Sequence, residues 1–180
     1  MTRQRLVIDS SPPNYFARSN QLPILEKLLA AYECFITNAV EEELLRGGPK
    51  HAQLYQVAPQ PWLTIVNETA LGYLALFSEY HGSFGGGMRN IGEATTLAYA
   101  EFHGITALVD DRAGRRHGLE RGVKVIGTLE LLCGGVRDKI LEVADAAAVV
   151  DLLSDHEAYL PCDGSGFFEW ARCEGLLGLE

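Results

Sequence analysis

Five carboxylates stand where short apolar runs meet helical segments: Asp9, Glu43, Glu93, Asp110 and Asp111. Asp9 closes Leu6-Val7-Ile8, and Asp110-Asp111 close Ala107-Leu108-Val109. Glu43 follows Val40 by three residues, beside the apolar stripe of its helix, and Glu93 opens a helix. Packing acids together is costly unless a cation neutralises them. Oxygen donors without His or Cys suit Mg²⁺ or Mn²⁺ rather than Zn²⁺. Such a site activates water and stabilises in-line displacement at phosphorus, with paired metals roughly 3.5–4 Å apart. Each acid also has a structural use when taken alone. Asp9 can cap a turn before Pro12, and Glu43 can be a solvated helix residue. Glu93 suits the positive end of a helix dipole, and Asp110-Asp111 can cap the next helix. Together they carry more weight, because four separate elements send an acid to one edge.

The elements that must position these acids alternate strand and helix. Residues 5–9 read as a strand buried on both faces, followed by a turn at Ser10-Ser11-Pro12-Pro13. Asn20 is expected to cap a helix with Pro23 in its first turn and Ile24, Leu25, Leu28 and Leu29 inward. Residues 33–37 form a second strand, and Asn38 caps a helix from 39 to about 46 that stops at Gly47-Gly48-Pro49. Residues 62–66 are a third strand, and 69–80 a helix with Leu71, Leu74, Ala75 and Phe77 inward. The glycine-rich stretch 81–88 reads as a flap or connector. It follows no strand and lacks the Gly-Lys-Ser/Thr of a P-loop. Residues 90–102 read as a helix with Ala94, Leu97, Ala98 and Phe102 inward, and 106–109 and 123–126 as strands four and five. Arg112, Arg115 and Arg116 begin the helix between those strands. Cations oppose the dipole there, so their place beside the acids calls for another reason. The chain is helical and apolar from Asp138, and 154–180 reads as helices covering the core or forming a partner surface. The alternation predicts an α/β fold: a parallel sheet covered by helices on both faces, with all strand C-termini on one edge. Residues 1–150 make the domain, and 151–180 a C-terminal helical extension.

A chain of 180 residues with 47% hydrophobic content can bury a sizeable core. No apolar run is long enough for a bilayer, and Met-Thr-Arg-Gln-Arg leads into a strand rather than a secretory h-region. The expectation is a soluble, cytoplasmic protein without a membrane partner. The net charge of −9 argues against broad attraction to nucleic acid, though a local basic rim is compatible with it. Cys34, Cys133, Cys162 and Cys173 form no Cys-x-x-Cys pair, and no His-Glu-x-x-His occurs.

Val-Ile-Asp9-Ser-Ser, Ile-Thr-Asn-Ala-Val-Glu-Glu-Glu43-Leu, Gly-Glu93-Ala-x-x-Leu-Ala, Leu-Val-Asp110-Asp111-Arg112-Ala-x-Arg115 and Lys-Val-Ile-Gly-Thr together resemble the PIN domain family, the fold of VapC-type toxin ribonucleases. The similarity spans most of 6–132, and its most specific part is 92–128. The resemblance implies a three-layer α/β/α fold with sheet order 3-2-1-4-5 and a Mg²⁺- or Mn²⁺-dependent endoribonuclease. It also implies frequent homodimerisation and often an antitoxin partner. Carried over by position, Asp9, Glu43, Glu93 and Asp110 would be the four catalytic acids. Asp9, Glu93, Asp110 and Asp111 would hold metal, with Glu43 a ligand or a water-orienting acid. Ser11 and Thr37 would offer hydroxyls at the rim, and Arg112 and Arg115 would hold phosphate or pair with nearby acids. The chain departs from the pattern in two places: glutamate stands third where many toxins have aspartate, and Thr37-Asn38 stands where many relatives have Pro-Glu. A non-catalytic PIN module binding nucleic acid or protein is the alternative. A receiver or phosphatase ranks last, because no Asp-x-Asp follows strand one and Lys124 lies at the wrong end of strand five.

Overall fold

The computed structural model describes residues 3–87 and 90–177. Along β1 (Gln4–Ile8), Leu6 and Ile8 face one side and Val7 the other, and all three are buried. This period-two alternation with no polar face requires helices on both sides of the sheet. β1 is accordingly the central strand. With β2 (Tyr32–Thr37), β3 (Leu63–Val66), β4 (Thr106–Leu108) and β5 (Val125–Ile126) it forms a parallel sheet of order β3-β2-β1-β4-β5. The order and the α/β class are those expected. Ile8 pairs with Leu108, and Leu108 with Ile126. The Asp9 amide continues the ladder to the Leu108 carbonyl at 3.0 Å. This register brings the acids after β1 and β4 to the same edge.

One core layer joins Leu6 and Ile8 to helices α1 (Ser11–Arg18), α2 (Leu22–Leu29), α7 (Thr128–Arg137), α8 (Val143–Asp155) and α9 (Gly164–Cys173), through Phe16, Leu25, Leu132, Val150 and Phe167. The C-terminal helices therefore share the core of the sheet. The other layer joins Val7 and Phe35 to α4 (Leu71–Ser83) and α5 (Ile91–His103), through Tyr73, Tyr80, Leu97 and Ala98. Helices α3 (Asn38–Gly47) and α6 (Arg112–Glu120) complete the crossovers. Among the described residues no helix is long and apolar enough to cross a membrane.

Several local expectations are corrected. Ser11-Pro12-Pro13 opens α1 instead of making a turn, since proline lacks only an amide that a first helical turn leaves unpaired. Asn20 does not cap α2. It takes a left-handed φ of 58° in the link before it. Thr37, not Asn38, caps α3, accepting from the Val40 amide at 3.3 Å. The inward face of α4 is Tyr73 and Tyr80, while Leu71 and Leu74 are exposed, because α4 packs on α5 more than on the sheet. Phe102 is exposed as well. The helix expected from Asp138 starts at Val143, after Lys139 turns through a φ of 58°. Of the stretch 81–88, the first three residues belong to α4, and Met88 lies outside the described residues.

Candidate active site

Asp9 is 4% exposed where β1 runs into α1. Its Oδ2 accepts from the Ser11 amide at 3.4 Å, and its Oδ1 has no hydrogen-bond partner. Burial pushes its pKa up to about 7. The Ser10 and Ser11 amides oppose that rise, and the charges of Glu43 and Asp110 add to it.

Glu93 lies in the first turn of α5, and its buried Oε1 also lacks a partner. Burial, then Asp9, then Asp111 raise its pKa to about 8. The side chain lies flat on the backbone of α6 at Gly114, where a Cβ would come within 1.7 Å of Oε1. Glycine inside a helix normally costs about 1 kcal/mol relative to alanine, and here it leaves room for the acid. Gly114→Ala is expected to displace Glu93 from the group of acids, and any activity that depends on these acids should fall by up to about 100-fold, the scale of misplacing a reacting group. The same change should leave the melting temperature level or higher, and a melting curve beside an activity assay checks both.

Glu43 projects from α3 toward α5, and its Oε1 accepts from the Gly92 amide at 2.9 Å. A Cβ at Gly92 would meet Glu43 Oε2 at 2.5 Å, so a second glycine lets an acid reach the site. Asp110 accepts two 2.6 Å bonds from Thr128, one from the amide and one from the hydroxyl. Its pKa is nonetheless raised, chiefly by burial. Asp111 caps α6 through Oδ1, accepting from Ala113 and Gly114 at 2.8 and 3.1 Å. Its charge is among those that raise the Glu93 pKa.

The remaining expected residues divide. Ser11 and Arg112 line an open cleft of about 620 Å³ beside Asp110 and Asp111. Arg115 also borders the cleft, but its guanidinium is paired with Glu130 and reaches the Val109 carbonyl at 3.4 Å. Thr37 is not at the rim. It is 1% exposed, and its hydroxyl pairs with Thr95 at 2.8 Å besides capping α3. Its use in the fold removes it from any surface that touches substrate. Sequence reasoning misses Thr128, Gly92 and Gly114 in these roles. Gly127-Thr128 directly after an apolar strand is a signal for Thr128; the glycines carry none. The larger cleft, about 700 Å³, lies at the opposite edge, and its Arg121 is bound by Glu79 and Glu101.

The donor set consists of oxygens, two of them buried and unpartnered, inside a group of mutually repelling acids. That chemistry fits a hard divalent cation. As the side chains stand, no three His, Cys, Asp or Glu groups among the described residues converge to hold an ion. No curated relative matches the chain at significant similarity. A family model described as DUF3368, a PIN domain, matches residues 5–163, most of the chain and every acid of the site. With the sheet order and the acid-lined edge, that match leads to one conclusion: the chain belongs to the PIN-domain family.

Proposed function

We propose that the protein is a Mg²⁺- or Mn²⁺-dependent endoribonuclease. PIN domains are generally nucleases and usually use divalent ions. The observation that carries the reading is the pair of buried, unpartnered oxygens, Asp9 Oδ1 and Glu93 Oε1, in one cluster of repelling acids. Six buried side-chain atoms among the described residues lack a partner, and the two that are carboxylate oxygens both fall in this cluster, which points to a missing cation.

Asp9, Glu93, Asp110 and Asp111 are the residues that would hold the ion. When bound, it supplies Lewis-acid polarisation of the phosphodiester and lowers the pKa of the attacking water. Asp9 presents Oδ1 from a backbone anchored at Ser11. Thr128 orients Asp110 with two bonds. Glu43, held at Oε1 by the Gly92 amide, keeps Oε2 to orient water. Arg112, exposed and without an ion pair among the described residues, binds the phosphate. Arg115 keeps Glu130 at the start of α7, where Glu130 accepts from the Gly127 amide at 3.0 Å.

Four free thiols suit a reducing, cytoplasmic setting. Exposed Ile65, Leu71, Leu74 and Phe102 are what a second copy of the chain or a toxin-neutralising antitoxin would cover. The lack of three converging acids among the described residues favours the second reading, a PIN module that binds without cleaving. RNA cleavage with and without Mn²⁺, in wild type and Asp9→Asn, decides between them. Metal-dependent cleavage lost in the variant supports the nuclease. Cleavage unchanged by the variant or by chelation rules it out.

A further inference from the structure

Tyr159 is 89% exposed in the link between α8 and α9, and it borders the cleft that also holds Asp110, Asp111 and Arg112. A single exposed aromatic is ordinary on a protein surface. This one is distinguished by its place and its support. The link is pinned on one side by Arg18, which donates to Glu157 at 2.8 Å, and on the other by the Gly164 amide, which donates to Asp151 at 2.7 Å. Glu157 turns through a φ of 66° just after α8. Leu160 and Pro161 continue the cleft wall beyond Tyr159, and Tyr15 of α1 lines it as well. The short link that carries the ring is therefore tethered at both ends beside the acids, which lowers the ordering cost of binding.

We infer that Tyr159, with Leu160 and Pro161, forms a stacking subsite for one unpaired nucleobase, the nucleotide next to the phosphate held at Arg112. The inference rests on the nuclease reading for the identity of that phosphate. The cleft combines a planar aromatic, an apolar wall and the Arg112 cation, the three contacts that a base and its phosphate require. About 620 Å³ is within the range of small-ligand sites and takes one nucleotide. A base paired in a duplex has no free face for the ring, so the subsite selects single-stranded RNA.

The test uses single-stranded RNA hexamers carrying 2-aminopurine at successive positions, with Mn²⁺, read for fluorescence quenching and for cleavage. Wild type is expected to quench the probe at one position. Tyr159→Ala is expected to remove the quenching and weaken binding about ten-fold, the scale of one lost stacked base. The loss should fall on KM rather than kcat, and Tyr159→Phe should retain both readouts. Quenching and KM unchanged in Tyr159→Ala, with wild type cleaving, would overturn the subsite and leave the nuclease intact. Tyr159-dependent quenching without cleavage would uphold the subsite and remove the nuclease. A duplex hexamer bound with the same dependence on Tyr159, or no binding by wild type, would overturn the subsite.

Discussion

Asp9→Asn is expected to lower metal-dependent RNA cleavage by about 100-fold or more and, in metal-free buffer at pH 8, to raise the melting temperature. The activity loss follows from removing the most buried acid of the cluster, the one whose Oδ1 has no other partner. Removing one group that stabilises charge in a reaction typically costs about 10²–10³ in rate. The stability gain has the opposite sign because the native carboxylate is held against burial and against Glu43 and Asp110. The amide keeps the shape, can still accept from Ser11 and carries no charge. Glu93→Gln should behave alike, since Asp9 and Asp111 repel Glu93 in the same way. Mn²⁺ calorimetry on the same samples should show affinity falling with activity. Undiminished cleavage in Asp9→Asn, or a variant that melts lower than wild type at pH 8 without metal, would break the link between the strained acid and its function.

The second large effect concerns the metal-free wild type: its stability should fall as pH rises from 5 to 8. Asp9 moves from an ordinary 3.8 up to about 7, and Glu93 from 4.5 up to about 8. Between the ordinary and the raised values the folded chain binds more protons than the unfolded one. Stability from these groups is thus fully present below about pH 4 and is lost as pH climbs through the folded values. A tenfold difference in proton affinity between the folded and unfolded chain is worth about 1.4 kcal/mol. About 1 kcal/mol moves the melting temperature of a chain this size by ~2–4 °C. The two acids repel each other and titrate as a pair, so the simple sum overstates the effect, and a drop of several degrees across the window is expected. Saturating Mn²⁺ should flatten the profile by replacing the protons. Glu101 works the other way. Hydrogen bonds from Arg121 hold its pKa below the usual range, so its contribution is lost as pH falls through that lowered value. Below about pH 4 it therefore opposes the acids' gain, and above pH 5 His51, its pKa lowered by desolvation and by Arg18 and Lys50, opposes the fall from the acids. A flat metal-free profile from pH 5 to 8 would show that neither acid is held above its ordinary value in the folded chain.

The strands were legible because each is a short apolar run, and a parallel sheet covered on both faces demands such runs. Leu6-Val7-Ile8 and Cys34-Phe35-Ile36 lie within a residue or two of the expected spans. Helix faces were less legible. Leu71 and Leu74 look as inward as Tyr73 and Tyr80 when only hydrophobicity is counted. Which face is buried depends on α5, which α4 meets in space. Proline misled at Ser11-Pro12-Pro13, since the same residues that break a helix interior also start one.

Residue types at the ends of strands determined that acids would gather at one edge and that hard cations would suit them. The local pattern carries that much, because parallel crossovers send every strand end the same way. Tertiary structure decided how the oxygens are used. Thr128 takes up Asp110, Glu130 pairs with Arg115, Gly92 holds Glu43, and Thr95 pairs with Thr37. Asp9 Oδ1 and Glu93 Oε1 stay unpartnered. Hydrogen bonds between elements far apart in the chain depend on packing distances of a few ångströms, which spacing along the sequence does not specify. The same packing brings Tyr159, far along the chain from Asp110, to the rim of the acid cleft.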